Sequence, residues 1–408
     1  MFLAGNAIIA QSGGPTAVIN NSVAGAVETW FARAPGGAIY AGISGIKGIL
    51  EGRIIDLAAQ EKPVLAGLRY TPGAGLFSCR YKVSAEDQQK LVEVFKKLNI
   101  RYFFYIGGND SMDTAHKTHL AALEADWEMR VIGIPKTVDN DLPFTDHTPG
   151  YGSAAKFIAA SVRETGIDLE SVSTKNKVTI LEAMGRDAGW LTAAGALAKR
   201  REDEAPHLLY LPELPFSHER FLADVERVYQ RLGYCYVVAS EGLADAEGNY
   251  IAASPTVDAF GHRQLSGAGE ALKNMVEAEL GIKARCNTLG TTQRAAMHFA
   301  SRTDAEEAFM VGRTAVDYAL AGKTGLMVTI ERASEEPYRS LAGEIELEKV
   351  ANIARKLPLE WINAEGNFVK EEFIRYARPL IEGEVEIPMA DGLPAYVRLD
   401  VARGRVEV

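Results

Sequence analysis

Short apolar runs built from β-branched and aromatic residues recur along the chain, and each ends in a glycine or polar loop that precedes a segment of helical periodicity. Ala7 to Ala10 leads into Gly13-Gly14, Tyr102 to Ile106 into Gly107-Gly108-Asn109-Asp110, and Val131 to Ile134 into Pro135-Lys136-Thr137. Further on, Val178 to Leu181 leads into Met184-Gly185-Arg186, and Cys235 to Ala239 into Ser240-Glu241-Gly242. Strands alternating with helices predict mostly parallel sheets covered by helices on both faces. In such sheets a ligand lies past the carboxyl ends of the strands, so these loops are where chemistry is to be sought.

A chain of 408 residues is long enough for about two to three ordinary domains. With 47% apolar and 24% charged residues it matches a globular protein, not a disordered, collagenous or disulfide-framework chain. The formal charge of −10, with no basic run, argues against nucleic acid or an anionic membrane as the main partner. Cys79, Cys235 and Cys286 lie far apart in no metal-ligand spacing and read as reduced thiols of a cytoplasmic protein. The apolar start lacks the basic region of a signal peptide and is too short for a membrane span. No charged residue appears before Glu28.

Three loops carry the chemistry. Gln11-Ser12-Gly13-Gly14-Pro15-Thr16 suits an anion, since paired glycines let backbone N–H groups converge and a helix N-terminus is expected next; a tight turn is the other reading. Gly107 to Ser111 offers close approach for a phosphate, with an amide and a carboxylate as hard ligands for a magnesium ion. Helix capping by Asn109 or Asp110 explains the same residues. Pro135 to Asp141 packs a cation, a hydroxyl and two carboxylates behind a buried strand. A lysine there can neutralise a phosphoryl group in flight and an aspartate can take a proton from an attacking hydroxyl; the alternative is a polar surface turn. No P-loop and no strand-following GxGxxG occurs.

Taken in order, Gly13-Gly14, Gly107 to Ser111, Thr137 to Asp141, Met184-Gly185-Arg186, Ser240-Glu241-Gly242 and Gln293-Arg294 resemble the loops of the phosphofructokinases over most of the chain. The resemblance implies two Rossmann-like three-layer α/β/α lobes. Residues 1–150 plus about 294–345 would bind the phosphoryl donor, and 151–293 plus about 346–408 the sugar phosphate. Asp110 stands where ATP-using members have a glycine that makes room for the nucleotide, and Lys136 where they have another glycine. A carboxylate repels the nucleotide's extra phosphate, while a fixed cation suits a donor that arrives without a nucleoside. Both departures match the pyrophosphate-dependent branch.

The implied reaction is a reversible, magnesium-dependent phosphoryl transfer from pyrophosphate to the 1-hydroxyl of fructose 6-phosphate, a step of glycolysis and gluconeogenesis. By resemblance Asp139 is the base, and Thr137 and Lys136 contact the phosphoryl group. Gly14, Arg80, Gly108 and Asp110 serve the donor, and Asn109, aspartate in most relatives, marks the metal position, where Asp110 or water could complete the shell. Thr137, Val138 and Asp139, with Met184, Gly185, Arg186, Glu241, Thr291 and Arg294, meet the acceptor; Thr291 replaces a histidine common in relatives. Lys177 and Arg285 correspond to residues that reach in from a neighbouring subunit, which implies a homodimer or homotetramer with shared active sites.

For each arginine and lysine a surface charge is the simpler alternative. Arg332 and Arg339 attach to no motif, and His262 reads as a packed histidine. Ala24 and Glu28 occupy positions where allosteric relatives carry arginines, so the resemblance implies little response to phosphorylated effectors. Three other readings stay open. The donor could be ATP, or the acceptor sedoheptulose 7-phosphate. From another class, the chain could be a non-catalytic subunit that binds sugar phosphate.

Overall fold

The computed structural model describes residues 3–34, 36–172, 177–257, 263–265 and 267–408. The chain opens with β1 (Asn6–Gln11), β2 (Ile39–Gly42), β3 (Ile54–Asp56), β4 (Ile100–Gly107) and β5 (Arg130–Pro135). It continues through β6 (Val178–Ala183), β7 (Leu208–Tyr210), β8 (Cys235–Ser240), a hairpin of β9 (Ala253–Val257) and β10 (Arg263–Leu265), and β11 (Ala284–Thr288). It then returns with β12 (Leu326–Glu335) and β13 (Tyr338–Glu346), and a short final hairpin, Met389–Ala390 with Leu393–Pro394, lies near the end. His262 falls outside the described residues.

Two sheets result. The larger has the order β13-β12-β5-β4-β1-β2-β3, parallel except where β3 and β13 join its edges. The smaller has the order β11-β6-β8-β7 and is parallel throughout. From β1 the chain steps first to β2 on one side and later to β4 on the other. That reversal opens a crevice above the carboxyl ends of β1 and β4, as it does in doubly wound sheets generally.

Side-chain alternation explains why the strand sequences are apolar throughout. In β1, Ala7 and Ile9 face one layer and Ile8 and Ala10 the other, and all four are fully buried. In β4, Tyr102, Phe104 and Ile106 lie with the first pair, where Trp30 stacks edge-on against Tyr102 at a centroid distance of 5.0 Å. Phe103 and Tyr105 lie with the second pair, against Phe95 of the helix Ala85–Lys97. That helix starts on a reciprocal cap in which Ser84 and Asp87 satisfy each other's backbone N–H groups.

The uncharged start of the chain has a packing cause. The helix Ile19–Arg33 is buried along most of its length and crosses the helix Arg302–Leu320 at backbone contact. A Cβ on Gly25 would sit 2.2 Å from the carbonyl oxygen of Phe309, and one on Gly312 would sit 2.0 Å from that of Ser22. The helix also begins at Ile19, after an irregular Pro15 to Val18, so its N-terminus does not follow directly on Gly13-Gly14. This corrects the expectation that its dipole serves that loop.

The loop Arg200 to Glu204 and the turn Asp245 to Asn249 are surface features, the turn closed by the Asp245 carboxylate accepting from Glu247 and Asn249 N–H. The short helix Leu347–Val350 is followed by Asn352, left-handed at φ +62°. Residues 397–406 run back along the larger sheet, where Asp56 N–H donates to Gly404 and Val406 N–H to Ile54. Among the described residues, no helix is long and apolar enough to cross a membrane.

Candidate active site

The loops that leave β1, β4 and β5 of one sheet and β6 and β8 of the other converge on a single cavity of about 480 Å³. Ser12, Gly13 and Gly14 follow β1; Gly108, Asn109, Asp110 and Ser111 follow β4; Lys136 to Asp139 and Asp141 follow β5. Met184, Arg186, Asp187 and Ala188 follow β6, and Glu241 follows β8. Arg294, from the short helix Thr292–Ala295, and Arg80 complete the cationic wall.

The glycines after β1 make room for cations. Lys136 is 3% exposed, and its Nζ donates to the carbonyl oxygen of Gly14 at 2.8 Å. A Cβ on Gly13, whose φ is +76°, would stand 3.1 Å from that Nζ, and one on Gly14 would stand 2.9 Å from Arg294 Nη1. Two positive side chains thus share the floor that the loop lines. The helix N-terminus at the cavity belongs to Asn109–Glu124, which opens on Gly108 and carries Asp110 in its first turn. Its first N–H groups have no partners within the helix, so the terminus favours a phosphate oxygen.

Burial sets the protonation states. It pulls the Lys136 ammonium down to about 8 against the opposing pull of Asp139 and Asp141. Burial pushes Asp139 up to about 7, reinforced by Asp141 and Glu241 and opposed by Lys136 and Arg186. Asp141 is raised by burial, and Glu241 rises to about 7, chiefly by burial and then by Glu182. A carboxylate near 7 in a cleft beside a cation has the pKa of a proton acceptor working at neutral pH.

The acidic loop is built from its own backbone. Thr137 Oγ1 accepts from Asp139 N–H at 3.1 Å, and Asn140 sits between the two aspartates at φ +54°. Asn140 spends its side chain inward, donating to Tyr376 OH at 2.8 Å and accepting from Thr148 N–H at 3.1 Å. Behind it, the carboxylate of Asp304 accepts from Gly150 and Ser153 N–H and so caps the helix Tyr151–Ser171.

A metal ion would find suitable donors. Asn109 Nδ2 donates to Asp141 Oδ2 at 3.4 Å, which fixes the amide plane, while Asn109 Oδ1 is buried and accepts no hydrogen bond. Among the described residues no group of three or more His, Cys, Asp or Glu could form a closed metal cage. One amide oxygen plus the neighbouring Asp110 carboxylate instead fits an ion that takes its remaining ligands from substrate phosphates and water.

Not every expected residue reaches the cavity. Gly185 lies just behind it, donating its N–H to Glu241 Oε1 at 3.3 Å. Thr291 is exposed beside the helix that carries Arg294. Lys177 and Arg285 stand at the amino ends of β6 and β11, with Arg285 paired to Asp168 at 2.9 Å. Asp168 lies near the far end of the helix Tyr151–Ser171, roughly 25 Å from its start, where Gly150 bridges to Thr137, at 1.5 Å per residue. Conversely, Asp187, Asn352 and Ala354 line the cavity without having been expected there. Asp187 was within sight in the Met184-Gly185-Arg186 loop, whereas nothing local marks 352–354.

A profile of the family described as phosphofructokinase matches residues 6–319. The pyrophosphate–fructose 6-phosphate 1-phosphotransferase of Methylococcus capsulatus is 44% identical over 402 residues, covering 97% of this chain and 96% of that protein. Two solved structures described as pyrophosphate-dependent phosphofructokinases are also similar. The one from Marinobacter aquaeolei superposes with a TM-score of 0.90 at 43% identity, covering 99% of this chain and 97% of the other. The one from Nitrosospira multiformis superposes with a TM-score of 0.91 at 42% identity, over the same shares.

Proposed function

The chain belongs to the phosphofructokinase family, and from that premise we propose that it transfers a phosphoryl group reversibly from pyrophosphate to the 1-hydroxyl of fructose 6-phosphate. The products are phosphate and fructose 1,6-bisphosphate. The observation that carries the choice of donor is the placement of Asp110 and Lys136 in the wall of one cavity. The carboxylate stands at the mouth of the helix Asn109–Glu124, where a longer polyphosphate would meet it, and the ammonium lies on the floor beside Gly14.

Asp139 accepts the proton of the attacking hydroxyl, and Lys136, Thr137 and the N–H groups after Gly108 stabilise the phosphoryl group as its charge redistributes. Gly14 and Arg80 hold the departing phosphate. Arg186 and Arg294 bind the acceptor's 6-phosphate, with Met184, Gly185 and Val138 shaping the pocket and Glu241 reading the sugar hydroxyls. Asn109, with Asp110 beside it, would hold magnesium, which when bound would neutralise charge on the reacting phosphates.

The donor lobe comprises residues 1–150 and about 294–345, and the sugar-phosphate lobe 151–293 and about 346–408, with the segment 397–406 crossing back to β3. Lys177 and Arg285 serve the acceptor from a second subunit, so the working form is a homodimer or homotetramer, while Thr291 serves the acceptor from beside Arg294 in the same chain. Support comes from the place of Lys177 and Arg285 at the amino ends of β6 and β11, outside the loops that line this chain's own cavity. The three cysteines are free, which suits the cytoplasm. Phosphorylated effectors are expected to change little, because Ala24 and Glu28 supply no cation on the first helix.

The decisive experiment compares initial rates on the purified chain with pyrophosphate and with ATP, for the wild type and for Asp110→Gly. Pyrophosphate should support turnover and ATP should not, and the glycine variant should raise the ATP to pyrophosphate ratio by at least tenfold. Equal or faster wild-type turnover with ATP would overturn the assignment of the donor.

A further inference from the structure

Asn140 holds a left-handed backbone between Asp139 and Asp141, a conformation asparagine tolerates better than other non-glycine side chains, and its carbonyl is fixed from outside the loop as well. The fixing group comes from more than two hundred positions away in sequence. The guanidinium of Arg355 donates to the carbonyl oxygen of Asn140 from Nε at 3.3 Å and from Nη2 at 3.0 Å. Its Nη1 donates to the carbonyl oxygens of Thr145 and Asp146, each at 2.7 Å. The backbone N–H of Arg355 donates to the carbonyl oxygen of Asp141 at 2.7 Å. One residue therefore satisfies carbonyls at both ends of the segment from Asn140 to Asp146.

The same side chain touches the acceptor side. Its guanidinium lies 4.7 Å from the ring centroid of Trp190, and its carbonyl oxygen accepts from Trp190 Nε1 at 3.4 Å. Trp190 opens the short helix that follows the Arg186 loop. Asn352 and Ala354, three residues and one residue before Arg355, line the cavity. Arg355 joins the loop of the base, the loop of the acceptor clamp and the wall between them.

Resting on the function proposed above, we propose that Arg355 is a positioning residue for phosphoryl transfer, which sets the direction of Asp139 and Asp141 by clamping the carbonyls of Asn140, Thr145 and Asp146. It touches no reacting atom. A planar fork with donors in fixed directions is what such a clamp needs, and a lysine cannot reach three carbonyls from one ammonium in the same geometry. Because misplacing a base by about 1 Å can reduce turnover about a hundredfold, the effect should fall on kcat.

The test uses full-length Arg355→Lys, Arg355→Met and Arg355→Ala in steady-state assays with pyrophosphate and fructose 6-phosphate, beside hydrogen exchange of the segment 137–148. Arg355→Met should lower kcat 10- to 100-fold while both KM values stay within threefold, with faster exchange in 137–148. Arg355→Lys should recover part of kcat, and millimolar guanidinium should raise the kcat of Arg355→Ala several-fold without helping the wild type. A kcat within twofold of wild type, a loss carried by KM alone, or unchanged exchange in 137–148 would each overturn the clamp. A wild-type chain unable to transfer phosphate from pyrophosphate would instead overturn the function, and the exchange measurement would still decide whether Arg355 holds the loop.

Discussion

Lys136 Nζ donates a 2.8 Å hydrogen bond to the carbonyl oxygen of Gly14, so a cation that follows β5 is held against the loop that follows β1. The bond fixes a buried ammonium where only a strong anion would offset its desolvation. It joins neighbouring segments of the crevice at the point where the donor is expected.

Free Lys136 loses its proton near pH 8, so kcat/KM for pyrophosphate should fall as pH rises through about 8. Bound pyrophosphate favours the charged form, which places the alkaline limb of kcat above that of kcat/KM. Lys136→Met should cost roughly 10²- to 10³-fold in kcat, the scale of removing one preorganised donor to developing charge. Coincident limbs in the two profiles would contradict this account.

Asp139 must be deprotonated to act as base, and its folded value of about 7 puts the acid limb of kcat/KM near neutrality, with activity lost as pH falls. Asp139→Asn should lower turnover roughly 10²- to 10⁴-fold while fructose 6-phosphate binding changes only a few-fold. Glu241 titrates in the same range, so Glu241→Gln serves as the control: it should weaken acceptor binding and leave an acid limb in place. Near-normal turnover in Asp139→Asn would remove it from the mechanism.

Directly after the acidic loop, His147 bonds Asp146 through Nδ1 at 2.8 Å and Glu307 through Nε2 at 2.6 Å, and Arg332 holds the other side of Asp146. Burial alone would depress the imidazole, but Glu307 and Asp146 carry it up to about 9. Burial would likewise raise the two carboxyls, yet His147 and Arg332 hold Asp146 down to about 2, and His147 holds Glu307 below its ordinary value. The histidine's contribution to stability is complete below pH 6.5 and is lost as pH rises through about 9. The carboxylates contribute above their ordinary range and lose their share as pH falls through their folded values. Urea unfolding should therefore weaken between pH 6.5 and 9, and His147→Gln should lose about 3–5 kcal/mol at pH 6 together with that alkaline slope. An unchanged slope in the variant would show the pairing to be energetically silent.

Gly25 and Gly312 let two helices meet backbone to backbone. On an exposed helix Gly→Ala gains about 0.5–1 kcal/mol, but here the new methyl has no space, and Gly25→Ala should instead lose about 1–3 kcal/mol. Thermal unfolding reads the sign directly. A raised Tm would mean that the helices separate without penalty.

What was legible followed from local chemistry. The apolar runs of β1, β4, β5, β6 and β8 announce themselves because both faces are buried, and the loops after them hold Asn109, Asp110, Lys136 and Asp139 next to one another in sequence. The edge strands gave no comparable signal, because β3 is only three residues long and β13 alternates exposed with half-buried residues. The charge-free start of the chain was legible as unusual but its helix not as packed, because the partner, Arg302–Leu320, lies far along the chain. Arg332, which attached to no motif, proves to hold Asp146 by two bonds. Arg355 was silent for the same reason: its ligands are main-chain carbonyls, which have no sequence.

The pairing of Leu326 with Ile132 and of Met327 with Gly133 has a consequence for biosynthesis. All four strands of the smaller sheet fall between these partners, so a ribosome delivers that sheet whole before it delivers β12. Until then the growing chain presents the bare edge of β5, a hydrogen-bonding template beside an apolar face. A stall in translation between β11 and β12 would leave one half of the molecule finished and the other open to association with its neighbours.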